Sequence, residues 1–169
     1  MRVGTTLYKV VNQPCASGGN EKRRVIWNPS TLRQDYGKNY LATVPKYDGF
    51  CTVPDHLNYR KEIDGFLNLY EPIEHTPQIG DFPNIRSLVL HIFGEQYNLG
   101  LDYLQLLFLQ PLQKLPILLL VSEERNTGKS TFLNFLKAVF GDNVTFNTNE
   151  DFRSQFNSDW AGKLLIVVD

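Results

Sequence analysis

The sequence predicts an α/β fold in which helices cover a parallel sheet. Three observations predict it: an apolar run of strand length at Leu115–Val121, a helical pattern at Lys129–Phe140, and a second apolar run at Leu164–Val168. Continuous apolar runs of this length are typical of strands buried on both faces. An order of strand, helix and strand predicts parallel pairing, because the helix returns the chain to the same end of the sheet.

The segments around this unit extend the α/β pattern. Gly141 is placed to end the helix at Phe140, Val144–Asn147 is predicted as a further strand, and 149–156 as a short helix. Upstream, apolar residues at helical spacing predict a helix over 84–93, which Gly94 ends. A second helix, 101–109, stops before Pro111 and should be buried because it is apolar nearly all round.

The N-terminal region has a different composition. Residues 4–12 and 22–27 are rich in β-branched and aromatic types, and they predict two strands that pair. Ser30 is the predicted cap of a short helix that ends at Gly37. From residue 38 to 81 we expect irregular wrapping rather than a sheet. Its rings should fix it to a core: Tyr47, Phe50, Tyr59, Phe66 and Tyr70.

Composition and charge exclude several classes of protein. A hydrophobic content of 42% is ample for a packed core and argues against disorder. The net charge of −1 gives no global basic field, so a contact with DNA must be local. The apolar stretch at 101–121 is too interrupted by polar residues and prolines to span a membrane. Cys15 and Cys51 have no paired spacing, and a reducing cytoplasm is the simpler location.

The loop after the first apolar run carries the chemistry. A bound polyphosphate needs inward-facing backbone N–H groups, a helix N-terminus, a mobile cation, and a hydroxyl for Mg²⁺. Gly128 allows close approach of the backbone, Lys129 supplies the cation, and Ser130 supplies the hydroxyl. The sequence therefore predicts a partial P-loop NTPase sheet. The predicted nucleotide-binding residues are Asn126, Thr127, Gly128, Lys129, Ser130 and Thr131.

Two acidic features bear on this site. Asp169, after the second apolar run, is predicted to hold Mg²⁺ together with Ser130. Glu123 stands where the full pattern G-x-x-x-x-G-K-[ST] has its first glycine. Glu123 and its neighbour Glu124 would repel a triphosphate unless they point outward, so we expect weak affinity.

The stretch from FGEQYNLGLDYLQLLFLQ through SEERNTGKSTFLNFLKAVFG to GKLLIVVD resembles the primase–helicase proteins of phages and plasmids. Their motor is a superfamily 3 helicase on an AAA+-like core. By this resemblance Gly128, Lys129 and Ser130 match the Walker A loop, and Asp169 matches the start of Walker B. The segment PKYDGFCTVPDHLNYRKEIDGFLNLYEPIEHTPQIGDFP is similar to the part that precedes the motor.

The resemblance implies an ATP-binding part of a DNA helicase in phage- or plasmid-type replication. It implies ATP and Mg²⁺ as cofactors, single-stranded or duplex DNA as a partner, and a hexameric full-length protein. The implied parts are a collar or linker at 1–83, a helical segment at 84–113, and the first half of an ATPase core at 114–169. The family's later catalytic groups have no counterpart here. We therefore expect the chain to be truncated within a motif, monomeric or weakly dimeric, and inactive alone.

Two other functions stay open at this stage. A small P-loop kinase would need substrate-binding arginines after the loop, where the sequence offers only Arg153. A non-catalytic remnant could serve as an assembly module. Other motifs favour structural roles. His56, His75 and His91 are scattered, and the Lys22–Arg24 run is typical of a solvated face.

Overall fold

The computed structural model describes residues 1–15, 19–148, 150, 160 and 162–168. The chain forms two compact units. The first comprises Met1–Cys51 and Lys61–Leu69, and the second comprises Thr52–Arg60 and Tyr70–Asp169. Both combine helices with small sheets, which agrees with the predicted α/β class.

The first unit is built on a long hairpin. Strands β2 (Thr6–Cys15) and β3 (Gly19–Ile26) pair antiparallel, as the sequence predicts. They join β1 (Arg2–Val3) and β4 (Lys46–Tyr47) in a four-stranded sheet of order β3-β2-β1-β4. The same unit contains helices α1 (Pro29–Tyr36) and α2 (Tyr40–Thr43).

The cap of α1 differs from the prediction. The Asn28 side chain accepts a hydrogen bond from the Ser30 amide at 2.9 Å, so Asn28 rather than Ser30 caps the helix. Pro29 takes the first helical position, where no amide hydrogen is needed. Gly37 ends α1 with a φ of 89°, which a glycine adopts without strain.

The prediction of no sheet between residues 38 and 81 is wrong. Strands β5 (Gly49–Cys51), β6 (Glu62–Ile63) and β7 (Phe66–Asn68) form a small sheet of order β5-β7-β6. These strands are two or three residues long, too short to show an alternating pattern in the sequence. Of the five predicted ring anchors, Tyr70 is fully buried, whereas Phe50 and Phe66 are exposed.

The first two helices of the second unit were both predicted as helices from the sequence. Helix α3 (Pro83–Phe93) ends at Gly94, and α4 (Tyr97–Leu109) starts four residues before its predicted beginning. The expected burial of α4 holds for one face only. Leu107 is buried, whereas Leu99 and Leu109 are more than half exposed.

Helix α5 (Lys129–Phe140) organises the core of the second unit. Its apolar residues recur at helical spacing, and Phe132, Leu136 and Phe140 are buried together against β8 (Val144–Asn147) and β9 (Leu165–Val168). Gly141 ends the helix at a φ of 57°, as predicted. Strands β8 and β9 pair in parallel, with Val144 opposite Leu165.

The predicted pairing of 115–121 with 164–168 is wrong. The partner of β9 is β8, and 115–121 runs outside any strand ladder of the described residues. A cavity of about 770 Å³ is lined by 115–120 together with β9. Leu118 and Leu120 pack on the core, whereas Ile117, Leu119 and Val121 are 96, 80 and 79% exposed. A buried central strand needs neighbours on both edges, and among the described residues no strand pairs with this segment.

Some predictions fall on residues outside the described part. These are Asp169 and, apart from Glu150, the helix at 149–156. The division of the chain into three parts, with boundaries at residues 83 and 113, stays a prediction. Within the described residues, no helix is both long and apolar enough to cross a membrane.

Candidate phosphate-binding site

The loop from Ser122 to Gly128 connects the extended segment to helix α5. Two of its residues have positive φ: Asn126 at 59° and Gly128 at 81°. An asparagine tolerates this region better than most residues, and a glycine adopts it freely. These conformations turn the chain sharply into the helix.

The N-terminus of α5 leaves backbone donors at the end of this loop. The first helical hydrogen bond runs from the Phe132 amide to the Gly128 carbonyl oxygen at 2.9 Å. The amides of Lys129, Ser130 and Thr131 therefore precede the hydrogen-bonded ladder. Together with the helix dipole, such amides favour an anion at this end of the helix.

The ammonium group of Lys129 lies inside the loop. It donates a hydrogen bond to the Thr127 hydroxyl at 2.9 Å and another to the Ser122 hydroxyl. The two hydroxyl oxygens are themselves 3.0 Å apart, and that of Ser122 also donates to the Glu124 carbonyl oxygen at 2.8 Å. Two neutral hydroxyls solvate the cation without neutralising it, so its charge stays available to an anionic ligand.

The acidic residues of the loop lie in solvent. Glu123 and Glu124 are both exposed, as is Arg125. Exposed charges interact weakly across water, so the repulsion expected from these carboxylates is reduced by screening.

A histidine outside the motif contacts the loop. Nε2 of His91, on α3, lies 3.1 Å from the carbonyl oxygen of Thr127. A Cβ built on Gly128 would lie 3.4 Å from the same imidazole ring. A side chain at position 128 would therefore meet both the ring and an unfavourable φ.

The structure thus brings together part of the predicted set. Thr127 and Lys129 are in contact, and Gly128 forms the turn between them. Asn126 shapes the loop, while Ser130 and Thr131 are exposed on the first turn of α5. Ser122 and His91 were missed by the sequence reasoning. A serine at the end of an apolar run carries no specific signal, and the spacing of His91 along α3 indicates only a helix.

The hydrogen-bond donors and the hydroxyl of this loop are of the types that bind a nucleoside triphosphate with Mg²⁺. Lys129 and the three amides suit phosphate oxygens, and the Ser130 hydroxyl suits a magnesium ligand. Ser130 and Lys129 also line the 770 Å³ cavity, next to the loop. That cavity is otherwise mainly apolar.

Comparisons with known proteins support the fold. A family described as "Family of unknown function (DUF5906)" matches residues 120–169, which contain the loop, α5 and β9. The comparison with curated proteins gives no match. The apo structure of the NrS-1 C-terminal region (305–718) is similar, with a TM-score of 0.63, 22% identity and 86% of this chain covered. An A form apo structure of that region gives 0.57, 20% and 86%.

This chain spans less than two fifths of those structures. The matches cover 38% and 39% of their lengths. At this level of identity, the likeness establishes a shared fold.

Proposed function

We propose that this chain is the ATP-binding part of a DNA-unwinding motor in phage- or plasmid-type replication. The observation that carries the proposal is the position of Lys129. Its ammonium lies in the loop at the N-terminus of α5, beside the amides that precede the helical ladder. The sequence resemblance to primase–helicases and the fold shared with the NrS-1 C-terminal region support the choice of a replication motor.

The loop residues have distinct roles in this proposal. Lys129 exchanges its two hydroxyl partners for phosphate oxygens when ATP binds, and the amides of residues 129–131 complete the contacts. Ser130 and Asp169 would hold Mg²⁺, which neutralises charge on the phosphates during transfer. Asn126 and Gly128 keep the backbone close enough for these contacts.

Turnover requires groups that the proposed site does not supply by itself. Phosphoryl transfer needs an oriented water and additional positive charge, and an arginine finger contributes a factor of about 10³–10⁵. We propose that the full-length protein forms a hexameric ring in which a neighbouring subunit provides that arginine. Light scattering of the full-length protein with ATP and single-stranded DNA tests this. A strictly monomeric mass would contradict the ring.

The proposed motor acts on single-stranded or duplex DNA, and we propose the cytoplasm as its location. The chain alone should bind Mg-ATP weakly and hydrolyse none. Phosphate release by the chain alone, abolished in Lys129→Ala, would overturn the proposal that turnover needs an arginine from a neighbouring subunit.

A titration with a fluorescent ATP analogue and Mg²⁺ tests the binding site. The native chain should bind, and Lys129→Ala should bind at least tenfold more weakly because a charge-assisted contact is lost. Lys137→Ala is the matched control, since it removes the same charge from the same helix, two turns beyond the loop. Its affinity should stay near that of the native chain. Equal affinities for the native chain and Lys129→Ala would favour the non-catalytic assembly module instead.

A further inference from the structure

The net charge of the whole chain is −1, but the two units carry net charges of opposite sign. The first unit contains nine Lys and Arg residues against five Asp and Glu, a net charge of +4. The second contains eight against thirteen, a net charge of −5. A local basic field of this kind attracts polyanions, although the whole chain does not.

One face of the β2–β3 hairpin combines this charge with an aromatic ring. Directly opposite residues of an antiparallel pair share a face, and so do residues two positions apart. Lys9 pairs with Val25, and Val11 pairs with Arg23, so Lys9, Arg23 and Trp27 lie on the same face. The Lys9 ammonium lies 3.9 Å from the centroid of the Trp27 ring.

Helices α1 and α2 extend this face with two tyrosines. The Tyr36 ring lies edge-on to Trp27 at 6.1 Å and stacks on Tyr40 at 4.6 Å, with 21° between the planes. Tyr36 is 50% and Tyr40 41% exposed, so neither ring is a core anchor. Lys9, Trp27, Tyr36 and Tyr40 line a cavity of about 290 Å³ whose apolar lining includes Leu32 and Val44.

We propose that this face, the Trp27–Tyr40 face, binds single-stranded nucleic acid. Exposed rings beside cations are the combination that stacks unpaired bases and contacts the backbone between them. The cavity is at the small end for ligand sites, which suits one flat ring at a time rather than a large ligand. A duplex conceals the faces of its bases, so the exposed rings favour a single strand. The proposal is independent of the nucleotide site, since its residues belong to the first unit.

Fluorescence anisotropy with a labelled twenty-nucleotide oligothymidylate tests the proposal on the full chain. Tyr36→Ala should weaken binding about tenfold or more, because stacking on one ring is lost. Tyr36→Phe keeps the ring and should bind like the native chain. Lys9→Ala should weaken binding and make it less dependent on salt.

Matched controls separate this surface from general charge. Phe66→Ala removes another exposed ring of the first unit, and Lys61→Ala removes another of its charges. Neither residue lines the cavity, and each variant should bind within about twofold of the native chain. Circular dichroism confirms that each variant is folded.

The outcomes are distinct. An oligouridylate arm shows whether the strand is DNA or RNA, and binding of either one supports the proposal. Equal affinity for the native chain and a folded Tyr36→Ala would overturn it. Tighter binding of a duplex, or binding of an oligoglutamate peptide in place of the oligonucleotide, would also overturn it. Lys129→Ala should keep its oligonucleotide affinity, so failure of the nucleotide site and failure of this face are distinguishable.

Discussion

Nε2 of His91 lies 3.1 Å from the carbonyl oxygen of Thr127, which places a side chain of helix α3 against the candidate phosphate-binding loop. A carbonyl oxygen only accepts, so the histidine donates from Nε2. A Cβ atom at position 128 would lie 3.4 Å from the same ring, so the ring also limits the side chain that this position can carry. The loop is therefore held from outside its own motif, by a helix that starts about 40 residues earlier in the chain.

His91→Ala should weaken the binding of the fluorescent ATP analogue. The lost hydrogen bond contributes about 0.5–1.5 kcal/mol to the loop conformation, which corresponds to roughly two- to tenfold in affinity. The overall fold should persist because His91 is exposed. Titration of the native chain and the variant measures the difference. An unchanged affinity would show that the contact does not hold the loop for its ligand.

His75 provides a matched control for this variant. Its Nε2 lies 2.7 Å from the Ala138 carbonyl oxygen, at the opposite end of α5 from the loop. His75→Ala therefore removes the same type of contact from the same helix. It should change stability by a similar amount and leave nucleotide affinity unchanged. An equal loss of affinity in both variants would indicate a general loosening of α5.

Phe132→Ala should destabilise the second unit by about 3–5 kcal/mol, the usual cost of removing a buried aromatic ring. Phe132 is fully buried and packs edge-on to Phe93 at 5.6 Å. Phe146→Ala, on the neighbouring strand β8, is the control because its ring is 44% exposed. That variant should lose about 1 kcal/mol or less. Urea unfolding followed by circular dichroism compares them, and similar losses would contradict this account of the core.

The elements that were predicted best from the sequence are those in which a hydrophobic period extends over many residues. Helix α5 and its end at Gly141 match the prediction because a twelve-residue amphipathic pattern and a glycine at positive φ are local signals. Strands β8 and β9 were also predicted at the right places. The pairing of β8 with β9 was not predicted, because the choice of neighbouring strand depends on contacts between residues that are distant in the sequence.

The candidate site was predictable only in part. Gly128, Lys129 and Ser130 follow a motif whose spacing has a physical reason. Ser122 and His91 reach the loop through folding, and no spacing rule connects His91 to a residue 36 positions later. The strands β5, β6 and β7 were missed because two or three residues show no period.

The backbone amides of residues 117–121 should exchange with solvent within seconds. This segment lies outside any ladder of the described residues, and its outward side chains are nearly fully exposed. The amides of Leu133–Phe140 lie inside α5 and should be strongly protected. Hydrogen exchange followed by mass spectrometry measures both peptides. Equal protection would mean that the segment is a paired strand in solution, as its apolar run predicts.

His56 is a partly buried histidine of the second unit, in contact with aromatic rings. His56 stacks on Phe108, with ring centroids 5.2 Å apart and 7° between the planes. The Tyr70 hydroxyl lies 3.2 Å from its Nε2. Burial lowers the pKa of His56 below its ordinary value of 6.5, an effect that the Leu107 backbone and the Asp55 carboxylate partly offset. The folded chain therefore favours the neutral imidazole.

The free energy of unfolding should consequently fall as the pH is lowered from 7.5 to 5.5. Below pH 6.5 the unfolded chain protonates His56 while the folded chain resists, so the unfolded state binds more protons and stability decreases towards acid. The stabilisation is complete above 6.5 and is lost as the pH falls through the lower folded pKa. His56→Phe keeps a ring against Phe108 and removes the titration, so its stability should depend less on pH over this window. Thermal unfolding of both proteins at half-unit pH steps gives the two slopes. A slope in His56→Phe as steep as in the native chain would assign the acid sensitivity to other groups.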